Sequence, residues 1–336
     1  MKKKKFKFVK FITTLGGLVF VLACTVALYI FGVASPLRTR VSVSVAQGAS
    51  VSGTATRLQH DGIISQAELF NFAIRMHGGK IQRGEYEIPA GASVWRIAKM
   101  LSAGDVATTT IVIPEGTTIK QVRKILQGAS ALTGAAECND GRPVCNLGDG
   151  DIFPDTYRVA RGTSRLAVID LAHKKMESLR EKWERAGRHT PSPLKTWNDV
   201  VTLASIVQKE TPRASEMPVV ASVYLNRLRK NMRLQADPTV VYALTDGLGD
   251  MGGAPLLRGH LQIDSPYNTY MHGGLPPAPI SNVGRAAISA VLNPADTNYL
   301  FFVADGRGGH KFANSYEEHK KNHADWRAIK KSATKN

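Results

Sequence analysis

The chain has 336 residues, of which 43% are hydrophobic and 21% charged. This composition excludes bulk disorder and leaves room for two or three domains. The formal net charge is +17, which suggests an anionic partner such as nucleic acid, a membrane surface or an acidic polymer. Six lysines fall within the first ten residues, so part of the basic excess belongs to the N-terminal end alone.

An apolar segment follows these lysines, because residues 11–34 contain no charged side chain over 24 positions. A helix of that length spans about 36 Å, enough to cross a hydrocarbon core of about 30 Å. Lysines precede the segment and little positive charge follows it directly, so residues 1–10 are predicted to stay in the cytoplasm. We therefore expect a single-pass protein of the inner (cytoplasmic) membrane, with its main domains periplasmic or extracytoplasmic.

Two alternatives to a transmembrane helix fit this pattern less well. A cleaved signal peptide has a shorter apolar region and a cleavage site of small residues, which Ala34-Ser35-Pro36 matches poorly. Cys24 could be a lipid-attachment site, but the ten apolar residues after it fit a membrane-spanning helix better. Export would also remove nucleic acid as the anionic partner, and the sequence contains no nucleic-acid-binding motif.

Cysteines and histidines offer little for a metal site. Cys138 and Cys145 flank a polar loop, and an exported compartment permits a disulfide between them, with two free thiols as the alternative. The histidines show no metal-type pairing. We interpret His310 and His319 as surface or structural residues, and we expect neither a metal nor a cofactor.

Residues 38–128 contain three similar segments, each with a strand, a glycine turn, a capping hydroxyl residue and a short helix. The hydroxyl residues that follow the turns are Ser50, Ser93 and the pair Thr117-Thr118. This pattern resembles a LysM-like module, a class that binds glycan. The alternative is that common strand-turn-helix units simply pack into a small α+β domain.

The second half of the chain has a different pattern. Apolar residues recur at helical spacing between residues 152 and 187, and again from Trp197 to Glu210. Another helix is predicted near residues 217–231, and residues 299–303 read as a strand. The exported part is therefore predicted to be α+β, with a larger mixed α/β domain at residues 150–330.

Short motifs occur in a fixed order within this larger domain. They are Phe153-Pro154-Asp155-Thr156-Tyr157, Leu203-Ala204-Ser205-Ile206-Val207-Gln208-Lys209-Glu210-Thr211, Asn226-Arg227-Leu228, Leu234-Gln235-Ala236-Asp237-Pro238-Thr239-Val240, Tyr267-Asn268-Thr269-Tyr270, Gly274-Leu275-Pro276-Pro277-Ala278-Pro279-Ile280 and Phe302-Val303-Ala304. Together they resemble the MltG (YceG-like) family of endolytic peptidoglycan transglycosylases, over roughly residues 150–326. Residues 150–330 are accordingly predicted to be the catalytic domain.

The resemblance implies a lytic transglycosylase that cleaves the MurNAc-GlcNAc bond of nascent glycan strands and leaves 1,6-anhydroMurNAc ends. It also implies a catalytic glutamate at the position that Gln208 occupies here. An amide can neither donate nor accept the required proton at useful rates. We therefore predict that Gln208, introduced or natural, inactivates the chain. The alternative is a non-catalytic glycan-binding or scaffold protein of the wall-synthesis machinery.

Three acidic residues could in principle replace the missing acid. Glu210 lies about 200° around the helix from position 208 and is expected to face elsewhere. Glu216 lies beyond Pro212 and belongs to another element, while Asp237 lies in a loop whose geometry the sequence does not define. We predict that none of the three takes over the reaction.

The family motifs also suggest substrate-binding residues, because amides, hydroxyls and aromatic rings suit sugars. These predicted residues are Gln235, Asp237, Tyr267, Asn268 and Tyr270. Asn and Asp side chains could equally organise loops by bonding to the backbone. Ser205, one helical turn from Gln208, is predicted either to orient that side chain or to serve as a small packing residue.

The predicted topology and the family together suggest where the protein acts. A membrane-tethered endolytic enzyme would cut nascent strands close to the bilayer. We therefore expect peptidoglycan strands as substrate and peptidoglycan synthases as possible partners. The cleft is expected between the helix that carries Gln208 and the loop at residues 267–280.

Overall fold

The computed structural model describes residues 17, 20–22, 25, 35–187 and 189–333. The predicted cytoplasmic segment at residues 1–10, and most of the predicted transmembrane helix at residues 11–34, lie outside the described residues. Among the residues that are described, no helix is both long and apolar enough to cross a membrane.

The described chain divides into two compact units. The first comprises the described residues up to Thr109 together with Arg158–Gly162, and the second comprises Thr110–Tyr157 and the described residues from Thr163 onward. This division differs from the sequence-based boundaries at residues 128 and 150.

Helices and short strands alternate along the first unit and into the second. In chain order the elements are β1 (Val41–Val45), α1 (Val51–His60), α2 (Ala67–Met76), β2 (Gly84–Ile88), α3 (Val94–Ala103), β3 (Thr108–Val112), α4 (Ile119–Gly128), β4 (Thr156–Ala160) and α5 (Arg165–Arg185). β1 and β2 pair antiparallel, with Val43 opposite Tyr86. β3 pairs with β4, and the division between the units falls within both strands.

The remainder of the second unit is mainly helical. Its elements are α6 (Trp197–Glu210), α7 (Met217–Arg229), α8 (Asp237–Leu244), α9 (Arg285–Leu292), β5 (Phe301–Ala304), β6 (His310–Ala313) and α10 (Tyr316–Ala333). β5 and β6 form an antiparallel hairpin in which Phe301 lies opposite Ala313. The prediction of a mixed α and β fold is confirmed.

The first unit forms its core from one face of each element. Val43 and Val45 on β1 are buried, as are Tyr86 and Ile88 on β2, because alternate residues of a strand face the same side. Helix α3 buries Val94, Ile97, Ala98 and Leu101, which share one helical face. Each large side chain removed from water in this way contributes about 1.5–3 kcal/mol.

The capping hydroxyls predicted for the repeated segments are confirmed. The Ser50 Oγ atom accepts a hydrogen bond from the backbone N–H of Gly53, and Ser93 does the same for Arg96. Thr118 forms a capping box with Gln121 at the start of α4. These bonds satisfy backbone donors that the first turn of a helix leaves free. The identity of this region as a LysM-like module stays a prediction.

Helix α6 is the central element of the second unit. Its residues from Val200 to Val207 are all buried, and it packs against α7 and α9. A helix that is apolar on every side belongs inside a protein. Because it is enclosed over this length, the orientation of the polar residues at its C-terminal end is determined by the core.

A loop at residues 143–151 packs against this core. Cys138 and Cys145 form a disulfide, as preferred from the sequence, and the Gly150 N–H donates to Oδ1 of the buried Asn282 over 2.9 Å. Gly150 has a φ of +85°, and a Cβ atom there would lie 2.7 Å from Pro279 and 2.8 Å from Val201. Only glycine allows so close an approach.

We expect Gly150→Ala to lower the free energy of unfolding by about 2–4 kcal/mol, since it combines backbone strain with overpacking. Gly134 is a matched control, because it has a φ of +71° but nothing within 4 Å of an added Cβ. Gly134→Ala should cost only about 1 kcal/mol. Denaturant unfolding followed by circular dichroism measures both, and equal losses would contradict the packing argument.

Candidate active site

An open, polar cavity of about 270 Å³ lies in the second unit, at the C-terminal end of α6. Strand β5 and helices α7, α8 and α10 contribute to it. It is lined by Glu210, Tyr224, Arg227, Leu234, Gln235, Asp237, Tyr270, Phe301, Phe302, Tyr316 and His319. The volume is just below the roughly 300–1,000 Å³ of pockets that enclose a drug-sized ligand, so the cavity suits a small part of a polymer.

Glu210 is the acidic residue with the most altered proton affinity in this cavity. It is the last residue of α6 and is partly buried. Burial raises the pKa of Glu210 to about 7. The Tyr224 hydroxyl donates a 2.5 Å hydrogen bond to its Oε1 atom and limits the increase, while the charge of Asp237 adds to it. Burial therefore brings the pKa of Glu210 close to neutral pH, where both the acid and the carboxylate are accessible.

The two groups beside Glu210 are held by the surrounding backbone. Tyr224 is buried on α7, and its ring meets that of Phe302 edge to face at 5.8 Å. Arg227, one turn later, donates to the carbonyl oxygens of Leu300 (2.6 Å) and Leu234 (2.8 Å). Because these bonds occupy its guanidinium group, Arg227 anchors the cavity wall.

Three of the predicted substrate-binding residues lie in this cavity with Glu210. Gln235 has a φ of +49° and precedes α8, and Asp237 is the first residue of that helix. The Tyr270 hydroxyl donates a 2.6 Å hydrogen bond to Oδ1 of Asp237. The structure therefore brings Gln235, Asp237 and Tyr270 together around a carboxylic acid.

Gln208 occupies a different position. It lines neither this cavity nor the second one described below. Its Oε1 atom accepts a 3.1 Å hydrogen bond from the backbone N–H of Gly284 at the start of α9, and its Cγ atom lies beside Gly116. Gln208 therefore connects α6 to the neighbouring backbone. The expected groove that joins Gln208 to Tyr267 and Asn268 is not found among these two cavities.

Ser205 and Asn268 are both fully buried. The Ser205 hydroxyl donates to the Thr202 carbonyl (2.7 Å) and accepts from the Ile280 N–H (3.0 Å). The Asn268 amide donates to two backbone carbonyls, and its Oδ1 accepts a 2.9 Å bond from the Tyr270 N–H. Both side chains therefore use their polar atoms inside the protein, and Asn268 positions the loop that carries Tyr270.

Tyr267 lies in a second cavity of about 650 Å³, also in the second unit. Its ring packs 4.8 Å from that of Tyr242. The Tyr242 hydroxyl donates a 2.7 Å hydrogen bond to Asp149, whose pKa is raised by burial. This cavity contains polar and aromatic groups but not Glu210.

The two histidines singled out in the sequence differ in their surroundings. The His310 Nδ1 atom lies 2.8 Å from Glu216, so this pair joins the turn between α6 and α7 to strand β6. His319 lines the first cavity and stacks on Phe301 at 5.2 Å. Burial lowers the pKa of His319, and the charges of His323 and Arg227 act in the same direction, which favours a neutral imidazole beside Glu210.

Metal binding finds little support in the described residues. Cys138, Asp140 and Cys145 form the one cluster of suitable side chains found there. Both sulfurs are joined in a disulfide, and the Asp140 carboxylate is paired with Arg142 at 2.7 Å. Since the thiolate is the form that binds a metal, this cluster does not provide a thiolate site.

A carboxyl group with a pKa raised to about 7, in an open cavity with hydroxyl and amide groups, can give and take back a proton. A profile of the YceG-like family matches residues 43–325. The match covers well over half of the chain, and the chain therefore belongs to the YceG-like family. This confirms the family resemblance of the sequence motifs.

Related proteins have been named by activity. The chain is 27% identical over 315 residues to a Bacillus subtilis (strain 168) protein named endolytic murein transglycosylase, with 84% of each chain covered. It is 27% identical over 322 residues to a Streptococcus pneumoniae (serotype 2) protein of the same name, and spans 58% of that protein. A YceG-like protein of Listeria monocytogenes matches at 28% identity and a TM-score of 0.48, over 84% of this chain and 98% of that one.

Glu210, Tyr224 and Arg227 were not predicted as site residues from the sequence. Helical spacing turns Glu210 away from position 208, so the sequence does not predict it as the acid. That spacing is correct, but it does not say which side of α6 faces the cavity. The sequence does contain one signal for this site. Tyr224 and Arg227 lie one turn apart on the largely apolar helix α7, and buried polar side chains of this kind usually have a hydrogen-bond partner.

The raised pKa of Glu210 makes a prediction for stability. Between pH 5 and pH 8 the folded protein binds more protons at this group than the unfolded chain, whose carboxyl has a pKa near 4.5, so stability falls as the pH rises. Relative to Glu210→Gln, the wild type should lose about 2–3 kcal/mol of unfolding free energy over this range. Urea unfolding at a series of pH values measures the difference.

Glu216→Gln is the matched control. Although burial opposes the change, the hydrogen bonds and charge of His310 lower the pKa of Glu216. Its contribution is therefore present above the unfolded pKa and is lost as the pH falls. A Glu210→Gln variant with the same pH dependence as the wild type would contradict the assignment of a raised pKa.

Proposed function

We propose that this protein is an endolytic lytic transglycosylase of peptidoglycan and that Glu210 is its catalytic acid and base. The observation that carries the proposal is the carboxyl of Glu210, with a pKa of about 7, in a cavity shared with Gln235, Asp237 and Tyr270. A general acid works best when its pKa is near the working pH. The names of the curated relatives support the same reaction.

The proposed reaction needs one proton shuttle and no water. Protonated Glu210 gives its proton to the leaving oxygen as the bond between C1 of MurNAc and that oxygen breaks. The 6-hydroxyl of the same MurNAc attacks C1, and the Glu210 carboxylate accepts the hydroxyl proton. The products are a free hydroxyl on the leaving sugar and a 1,6-anhydro end, and Glu210 is protonated again.

The neighbours of Glu210 support both halves of this cycle. Burial favours the neutral acid before the bond breaks, and the Tyr224 hydrogen bond stabilises the carboxylate formed afterwards. The carboxylate of Asp237 and the phenol of Tyr270 can bind sugar hydroxyls at the cavity wall. The hydrogen bond between them leaves further acceptor positions on both groups.

This proposal differs from the inactive enzyme predicted from position 208. If Glu210 is the acid, Gln208 is no obstacle, because its amide oxygen accepts the Gly284 N–H and lines neither cavity. The inactive enzyme requires that the acid belong at position 208, so Gln208→Glu would activate it, whereas a non-catalytic glycan-binding scaffold would cleave no strands with either residue at 208. Substitutions at the two positions therefore separate the two functions.

We also propose that residues 11–34 anchor the protein in the inner membrane, with residues 1–10 in the cytoplasm and the catalytic unit outside. The uncharged run and the lysines before it support this topology. An anchored enzyme would cut nascent strands near the bilayer, close to peptidoglycan synthases as partners.

We expect Glu210→Gln to reduce cleavage of purified glycan strands about 10²–10⁴-fold, because the amide cannot exchange the proton. Gln208→Glu should stay within a few-fold of the wild type. Mass spectrometry of the 1,6-anhydro ends measures both. An inactive wild type that Gln208→Glu makes active would instead restore the assignment of the acid to position 208.

The pH dependence of cleavage gives an independent test. kcat/KM should fall above about pH 7, as Glu210 loses its proton. Tyr224→Phe removes the hydrogen bond that stabilises the carboxylate, so it should move this descending limb to higher pH. A limb that stays at the same pH in Tyr224→Phe would show that another group controls the rate.

A further inference from the structure

We propose that the second cavity, around Tyr267, Tyr242 and Asp149, is a distal saccharide-binding subsite for the same glycan strand that is cut at Glu210. The inference rests on the proposed function and extends it. The catalytic cavity, at about 270 Å³, holds only a short part of a polymer, so an endolytic enzyme needs further contacts along the strand. The second cavity is more than twice as large, at about 650 Å³.

The second cavity has a preformed wall. Asp149 accepts hydrogen bonds from the Tyr242 hydroxyl (2.7 Å) and from the Ile119 N–H at the start of α4 (2.5 Å). The next residue, Gly150, is bonded to the buried Asn282 and lies against Pro279. Because these contacts join the loop to α4, to α8 and to the segment at residues 279–282, its polar groups keep their positions without a ligand.

The lining has the composition that a sugar requires. Tyr242 and Tyr267 pack with ring centroids 4.8 Å apart and an interplanar angle of 47°, and both rings line the cavity, where they offer apolar surface to the CH groups of a sugar. Asn146, Asn198 and Ser265 add amide and hydroxyl groups to the lining.

The charges of the lining argue against a small anion. Lys120 is the one basic residue among those that line the cavity, and it is already paired with Asp246 at 2.8 Å. Asp149 and Asp151 add carboxyl groups to the same lining. A neutral, hydroxyl-rich ligand fits these groups, since carboxyl and amide oxygens accept from hydroxyls.

Two elements connect this cavity to the catalytic one. Helix α8 carries Asp237 of the catalytic cavity at its first residue and Tyr242 of the second cavity five residues later, about 8 Å along the axis. Tyr270 and Tyr267 are only three residues apart in one loop, a span of at most about 11 Å. A strand of a few sugar rings can therefore reach both cavities.

Occupation of the second cavity would influence where a strand is cut. A strand bound in the second cavity would bring to Glu210 the linkage that lies a fixed number of sugars away from the bound ring. Short oligosaccharides that fill only the catalytic cavity would gain nothing from Tyr267. The test is therefore the ratio of kcat/KM for long and short strands, which a general loss of folding would not change selectively.

The experiment uses the full chain with purified glycan strands of defined length, with and without stem peptides. We expect Tyr267→Ala and Asp149→Asn each to lower the long-to-short ratio about tenfold, and to broaden the length distribution of the products. Tyr267→Phe should retain most of the preference, because it keeps the ring. Leu171→Ala, an exposed position on α5, is the control and should leave the ratio unchanged.

Several outcomes would overturn the subsite. One is an unchanged long-to-short ratio in Tyr267→Ala and Asp149→Asn. Another is a wild-type length preference that appears only on strands carrying stem peptides, because this would indicate a peptide site. Failure of the proposed function gives a different result, because Glu210→Gln would then cleave long and short strands at the same rates as the wild type.

Discussion

The carboxyl group of Glu210 is controlled by two opposing effects. Removal from water raises its pKa, because a charged carboxylate is poorly solvated there, while the Tyr224 hydroxyl stabilises the charged form. Neither effect alone would hold the pKa near neutrality. Both depend on the packing of α6 against α7, since a shift between these helices would admit water or break the hydrogen bond. The chemistry of the cavity therefore depends on the rigidity of the core behind it.

That core also explains how the second unit can present two cavities. The interior is packed along α6 from Val200 to Val207. The polar groups of the cavities lie at the margins of this core, on α8 and on the loops before and after α8. Asn268 bonds three backbone groups inside its loop, which holds Tyr270 at one cavity and Tyr267 at the other. Buried polar side chains that appear to be substrate contacts in a motif can thus serve to position the residues beside them.

Much of the fold could be predicted from local patterns. The caps at Ser50 and Ser93 follow from short-range hydrogen bonding, and the disulfide of Cys138 with Cys145 was the preferred interpretation of two nearby cysteines in a chain predicted to be exported. Gln235, Asp237 and Tyr270 were predicted to bind substrate, and these three lie in one cavity. The carboxyl group in that cavity was harder to predict, because Gln208 and Glu210 belong to one motif and differ only in the side of the helix that they occupy.

The sequence by itself determined the family, the order of its motifs, the helical periods and the residue types available for chemistry, because these depend on near neighbours along the chain. Only the tertiary structure decided which carboxyl is enclosed, which tyrosines share a cavity with it and which polar residues are used up inside the protein. The physical reason is that a pKa and a cavity depend on groups distant in sequence. Tyr224 lies 14 residues from Glu210, and Tyr242 lies 93 residues from Asp149.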